Sequence, residues 1–257
     1  MAVTIDLSGS SALVFGVANH RSIAWAIAQA FHEAGAALTV TYQNERMGRD
    51  VLKLVAGLDH AEAVECDVLD EASVRAAVDA ATSAAPLKAV AHCVAFANRD
   101  DLSGDFSETG VEGFRTALEV SAYSLLPVAR TAAAKMAPGS SITTLTFHAA
   151  DKVYPGYNIM GVAKAALENE VKQLASEFGE KGIRVNAISA GPLNTLAARG
   201  ISGFSNMQQI HADRSPMKRN ITQEEVGSAA LFLASPLSSG VTGHVLYVDA
   251  GYNVMGV

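Results

Sequence analysis

The stretch SALVFGVANHRSIAWAIAQAFHEAG, residues 11–35, sets the architecture of the chain. It opens with SALVFGVA (11–18), a nearly continuous apolar run of the kind that forms a parallel strand buried on both faces. An Ala-rich helical pattern follows over 22–35 and ends on Gly35, a residue suited to a helix C-cap. Between strand and helix, Gly16 keeps a side chain out of a turn where backbone must come close to a ligand. Ser22 is a favoured N-cap residue, and Ala24 is small enough for a close first helical turn. Free N–H groups and a partial positive charge at such a helix start suit a pyrophosphate. The turn departs from the G-x-G-x-x-G pattern, so a plain strand–turn–helix corner is the alternative.

The same alternation continues to the end of the chain. Strand patterns occur at 37–43, 61–68, 89–96, 141–148, 184–191 and 244–252, and helical patterns at 71–84, 111–136, 157–179 and 223–234. Thr222 with Glu225 three residues on forms a capping box for the last helix. No Pro-, Gly- or Ser-rich linker divides the 257 residues. The expected fold class is therefore α/β: a single doubly wound Rossmann-type domain over 1–257, with about seven parallel strands and helices on both faces. In such sheets ligands bind beyond the carboxyl ends of the strands.

Composition narrows the function. Lys and Arg number 19 against 26 Asp and Glu, a net charge of −7, which argues against a broad basic surface for nucleic acid or anionic lipid. Cys66 and Cys93 lie in apolar runs and read as buried structural thiols rather than a disulfide or zinc framework. The start MAVTIDLSGS lacks the features of a signal peptide, and no apolar run approaches the length of a membrane span. A soluble protein of a reducing compartment is expected.

Strand ends supply the candidate binding residues. Gln43 stands at the tip of the second strand, where an acidic residue usually meets the adenosine ribose, and it is able to bond the same hydroxyl. Arg46 and Arg49 follow, so a 2′-phosphate is the competing ligand; the absence of an arginine at the tip favours NADH. In CDV (66–68), Asp67 is placed to hold an adenine amino group with Val68 against the ring, or else is a solvated strand-end aspartate.

In YPGYNIMGVAKAALENEVKQLA (154–175), Tyr157 and Lys164 are seven positions apart. Seven helical steps turn through about 700°, about 20° short of two full turns, and rise about 10 Å. The two side chains thus share a face, Tyr157 at the mouth and Lys164 deeper; an ordinary amphipathic helix is the alternative. A phenol has a reference pKa of about 10. A nearby ammonium would favour its charged form.

Seven motifs together resemble the enoyl-acyl-carrier-protein reductases of bacterial fatty-acid synthesis, a divergent branch of the short-chain dehydrogenase/reductase superfamily. They are GVANHRSIAWAIA (16–28), TYQNER (41–46), CDV (66–68), VSAYS (120–124), YNIMGVAKAALE (157–168), RVNAISAGPLNTLAA (184–198) and VTGHVLYVDAGY (241–252). Most short-chain dehydrogenases carry lysine four residues after tyrosine; here that position is Gly161. The resemblance implies hydride transfer from NADH to C3 of a trans-2-enoyl thioester borne by acyl carrier protein, the last reductive step of the elongation cycle. It implies Tyr157 as donor to the thioester oxygen and Lys164 on the nicotinamide ribose. Gly16, Ala18, Ser22 and Ile23 would line the pyrophosphate. Cys93, Val94 and Ala95 would lie beside the adenosine ribose and nicotinamide, and Gly191, Pro192, Leu193 and Thr195 near the carboxamide and phosphates. Phe96, Ala97, Phe147, Met160, Ala197, Ile201 and Phe204 join Tyr157 on the substrate side, under a mobile lid at about 195–212. Phe147 stands where many relatives have a second tyrosine; it packs but donates no hydrogen bond. His148 beside it reads as a solvated strand-end histidine, the alternative being that it supplies the missing polar contact. A cytoplasmic homotetramer with no metal is implied, its long Ala-rich helices packing across subunits.

Overall fold

The apolar runs become seven strands: β1 (Ser11–Phe15), β2 (Ala37–Tyr42), β3 (Ala61–Glu65), β4 (Leu87–His92), β5 (Ser141–Thr146), β6 (Arg184–Ala190) and β7 (Val245–Val248). They form one sheet in the order β3–β2–β1–β4–β5–β6–β7, and every pairing is parallel. The computed structural model describes residues 4–196, 198 and 203–256.

Period-two alternation divides the core between the two faces. Ala12, Val14, Val40 and Ile188 face one way, against helices α1 (Ile23–Glu33) and α8 (Gln223–Ala234). Leu13, Phe15, Val90 and Ile142 face the other, against α3 (Glu71–Ala84), α5 (Leu125–Ala133) and α6 (Asn158–Gly179). Full burial of one such side chain stabilises by about 1.5–3 kcal/mol. The capping box at α8 is present: Glu225 N–H donates to Thr222 Oγ1 at 3.3 Å, and Thr222 N–H donates to the Glu225 carboxylate at 2.8 Å.

Strands are shorter than the apolar runs that encode them. β1 stops at Phe15 and β4 at His92, because the chain leaves the sheet there to form loops that remain partly buried. Two helices are absent from the sequence reading. One is α2 (Glu45–Val55), capped by Asn44 accepting from Met47 N–H at 3.2 Å. The other is α7 (Phe204–Arg214), which occupies the second half of the expected lid.

The expected helix over 111–136 is interrupted. It consists of α4 (Val111–Leu118), a π-helical turn at Glu119–Tyr123 and α5. Ser124 N–H reaches back five residues to the Glu119 carbonyl at 3.0 Å. Pro127 explains the wider turn: it has no N–H to give, and its ring presses on the carbonyl four residues earlier.

Helix α6 lies flush against the chain that follows β5. A Cβ on Gly161 would stand 2.9 Å from the Ala149 carbonyl oxygen. This contact excludes a side chain at the position where the commoner dehydrogenase pattern has its lysine. Gly161→Ala gains about 1 kcal/mol of helix propensity but forces a backbone shift costing about 1–3 kcal/mol. Thermal unfolding should show a Tm lower by a few degrees, whereas Gly179→Ala, with open space around it, should be neutral or stabilising. Equal behaviour of the two variants would remove the steric argument.

Candidate active site

The carboxyl ends of β1, β4, β5 and β6 share one edge of the sheet, and the start of α6 lies beside them. At the end of β1, Gly16 has φ 87°, and a Cβ there would stand 2.5 Å from the Cys93 carbonyl oxygen. The glycine is therefore required for two strand ends to meet, in addition to leaving the turn open. The Ser22 hydroxyl does not cap α1; it donates to the Asn19 carbonyl at 2.7 Å. Among the described residues, the Ile23 and Ala24 N–H groups then have no hydrogen-bond partner. Ile23 packs its side chain on the core, so its N–H is what it offers a ligand; Ala18 is half-buried in the same turn.

The expected adenosine-side residues separate into exposed and buried sets. Gln43 is exposed at the end of β2. Arg49 is engaged by Glu45 at 3.3 Å on the surface. Asp67 is exposed and forms a local turn, its Oδ1 accepting from Leu69 N–H at 3.0 Å. Val68 is buried in the core beneath it. Gly191, Pro192 and Leu193 are buried, and Leu193 joins the core on the α1 side; Thr195 Oγ1 accepts from Ala198 N–H at 3.2 Å.

At the end of β4, the π-helical turn supplies anchors that sequence reasoning quoted in VSAYS without assigning. Ser121 Oγ accepts from Phe96 N–H and donates to the Phe96 carbonyl, both at 2.9 Å. The backbone of Phe96 is thus pinned while its ring is 51% exposed. His92, fully buried, spans Thr144 Oγ1 at 3.0 Å and Ser124 Oγ at 2.9 Å. Burial, with the charge of Lys164, pulls its imidazole down to about 3, so it is neutral. Cys93 is half-buried rather than buried, and desolvation pushes its thiol up to about 12.

Lys164 is 5% exposed, and its ammonium donates to the Leu145 carbonyl at 2.8 Å. Desolvation pulls it down to about 8, opposed by nearby Cys93 and Glu168. It still carries its charge at neutral pH, with two N–H bonds left to give. Glu168 accepts from Thr146 Oγ1 at 2.7 Å, and burial raises its carboxyl above the usual range.

Tyr157 caps α6 rather than lying within it. Its neighbours Gly156 (φ 80°) and Asn158 (φ 28°) both take left-handed backbone, and Asn158 Nδ2 donates to the Gly104 carbonyl at 3.1 Å. These contacts fix where the phenol emerges. Burial raises its pKa, so the phenol stays protonated.

The structure brings most of the substrate-side residues together around that ring. Tyr157 and Ala97 pack against one apolar cluster, which contains Met160, and Tyr157 and Phe204 pack against a second, which contains Phe147. Phe147 meets it edge-on at 5.1 Å between centroids. Ala197 and Ile201 lie outside the described residues. His148 is not solvated: it is 8% exposed and its Nδ1 lies 3.1 Å from the Tyr154 hydroxyl. Tyr154 and His211 complete an aromatic cluster that sequence reasoning did not single out; the only signal was their residue type within otherwise plain segments.

Comparison with known proteins follows the same lines. The family model described as Enoyl-(Acyl carrier protein) reductase matches residues 16–253. An enoyl-acyl-carrier-protein reductase (NADH) of Bacillus cereus is 47% identical over 253 residues, covering 97% of this chain and 99% of its own. A crystal structure of the Bacillus cereus enoyl-acyl carrier protein reductase with NADP+ and indole naphthyridinone superposes with a TM-score of 0.94 at 46% identity, covering 98% of this chain and 99% of that one. The Anaplasma phagocytophilum reductase in complex with NAD gives 0.93 at 42% identity, covering 100% and 98%.

The buried Lys164 generates a measurable pH effect. Its pKa is about 8 folded against an ordinary lysine's 10.5, so between these the unfolded chain binds more protons and stability rises with pH. Lys164→Met removes that dependence. The stability difference between the proteins should shift towards the wild type by up to about 3 kcal/mol between pH 7 and pH 10.5, read from urea midpoints. A flat difference would show that Lys164 titrates normally.

Proposed function

The chain belongs to the enoyl-acyl-carrier-protein reductase family, and from that premise we propose that it reduces the C2–C3 double bond of a trans-2-enoyl thioester, using NADH. The observation that carries this reading is the pair formed by a protonated, half-buried Tyr157 and a charged, buried Lys164 beside the sheet's carboxyl edge.

The residues present fit a dinucleotide. The open Gly16 turn and the unpartnered N–H groups at the start of α1 suit a pyrophosphate. Lys164 retains two donors for ribose hydroxyls, and exposed Gln43 suits the adenosine ribose. Bound NADH supplies the hydride received at C3. As it arrives, negative charge gathers on the thioester oxygen. Tyr157 donates a hydrogen bond to that oxygen, and the charge of Lys164 keeps the local field positive. The phenol is held above its ordinary range by burial, so it shares its proton rather than losing it. C2 is then protonated, by Tyr157 or by water.

The spacing of tyrosine and lysine follows from the substrate. A carbonyl reductase needs its phenol beside the carbon that takes the hydride, whereas in an enoyl thioester the oxygen lies two carbons further on. Thr144 agrees with this reading. It sits where carbonyl-reducing relatives usually have serine, but it is buried and donates to the His92 carbonyl at 3.1 Å. The segment at about 195–212, including much of α7, serves as lid over the acyl chain. Delivery by acyl carrier protein, assembly as a homotetramer and work in the cytoplasm complete the reading. The half-exposed Tyr123 near α5 and Tyr247 on edge strand β7 suit subunit contacts.

NADH oxidation followed at 340 nm should proceed with C4 to C12 enoyl thioesters and not with simple ketones; the reverse preference would replace this reading with a carbonyl reductase. Tyr157→Phe should lower kcat by about 10²–10³-fold, the cost of one oxyanion donor. Near-full kcat in that variant would exclude the role given to the phenol. Light scattering tests the tetramer.

A further inference from the structure

Beside Phe147 lies a hydrogen-bonded chain that links three segments. The Tyr154 hydroxyl is 3.1 Å from His148 Nδ1 and 3.3 Å from His211 Nε2. His148 follows β5, Tyr154 precedes α6, and His211 is on α7. The Tyr252 ring stacks on His211 with centroids 3.6 Å apart. Tyr252 is itself fixed by Asp249, whose carboxylate accepts from the N–H groups of Gly251 and Asn253 at 2.9 and 2.8 Å.

The proton positions in this chain follow from what each partner is able to do. Burial lowers both histidines, His211 to about 4, so both rings are neutral at neutral pH and each has one N–H and one bare nitrogen. The charged groups acting on them are Asp249, Asp151 and Lys152. His211 Nδ1 is buried without a partner, and a bare nitrogen is cheaper to leave there than an N–H. Nε2–H of His211 therefore donates to Tyr154, and the Tyr154 hydroxyl donates to His148 Nδ1; these tautomers are assigned from the network.

Tyr154 also touches the catalytic turn twice. Its carbonyl accepts from Tyr157 N–H at 3.1 Å. Its ring packs on Phe147 at 4.7 Å, and Phe147 packs on Tyr157 at 5.1 Å. We propose that Tyr154, clasped by His148 and His211, is a positioning residue that ties helix α7 to the turn bearing Tyr157. Docking of α7 over the acyl site and orientation of the phenol are then one event. The role in turnover rests on the reading of the protein as an enoyl reductase; the structural tie does not.

Tyr154→Phe tests it, because it removes the clasp hydroxyl and keeps the ring on Phe147. Hydrogen exchange read by mass spectrometry should be about tenfold faster in α7 (Phe204–Arg214) and unchanged in the second half of α6. KM for a C12 enoyl thioester should rise about five- to tenfold with kcat within about twofold, the scale of one lost neutral hydrogen bond. Unchanged exchange in α7 would overturn the clasp. Faster exchange with unchanged KM would overturn its coupling to the acyl site. If the wild type turned over no enoyl thioester, the functional reading would fall, while the exchange measurement would still decide the clasp.

Discussion

The chemistry of this site depends on how closely α6 approaches the chain leaving β5. At Gly161 the helix has no Cβ, and the Ala149 carbonyl occupies the space a side chain would need. With that position closed, the next position on the same face is one turn deeper, and there Lys164 reaches the Leu145 carbonyl. The long interval between phenol and ammonium is thus a matter of packing, since Tyr157 itself stands outside the helix. A glycine that weakens the helix locally is kept because it fixes what the helix presents.

That packing also sets the electrostatics. Lys164 is buried against a backbone dipole, and Glu168 offsets only part of the desolvation. His92 is driven neutral and adds no second charge. The lysine is therefore the local positive centre, while the phenol, raised by burial alone, remains a donor. A carboxylate placed directly on the ammonium would neutralise this field. Glu168 is turned aside by its hydrogen bond from Thr146.

Much of the fold was legible because it depends on local pattern. Buried parallel strands produce apolar runs, and the Thr222–Glu225 pair announces a helix start. The strand ends were overextended because the loops beyond them are apolar too, as Cys93 and Val94 show. Helix α2 escaped notice because TYQNER was read for ligand chemistry, although Asn44 is an ordinary cap. The π-helical turn has no periodic signature; its cause, Pro127, acts only once the helix on either side exists. In the site, the spacing marks Tyr157 and Lys164 as a pair, and the structure puts the first at the cap of α6 and the second buried within it. Burial of His148 was not legible, because it depends on Tyr154, His211 and Tyr252, the last two brought in from 57 and more residues away in sequence.

Phe147 gives that cluster its functional sense. An aromatic ring without a hydroxyl packs on both Tyr157 and Tyr154. It passes packing force from one to the other but conducts no hydrogen bond. The polar network of Tyr154 and the two histidines therefore gains no hydrogen bond to Tyr157 through this ring. With phenylalanine in place, Tyr154 bonds His148 and His211 on α7, while the contact between Phe147 and Tyr157 is one of packing alone.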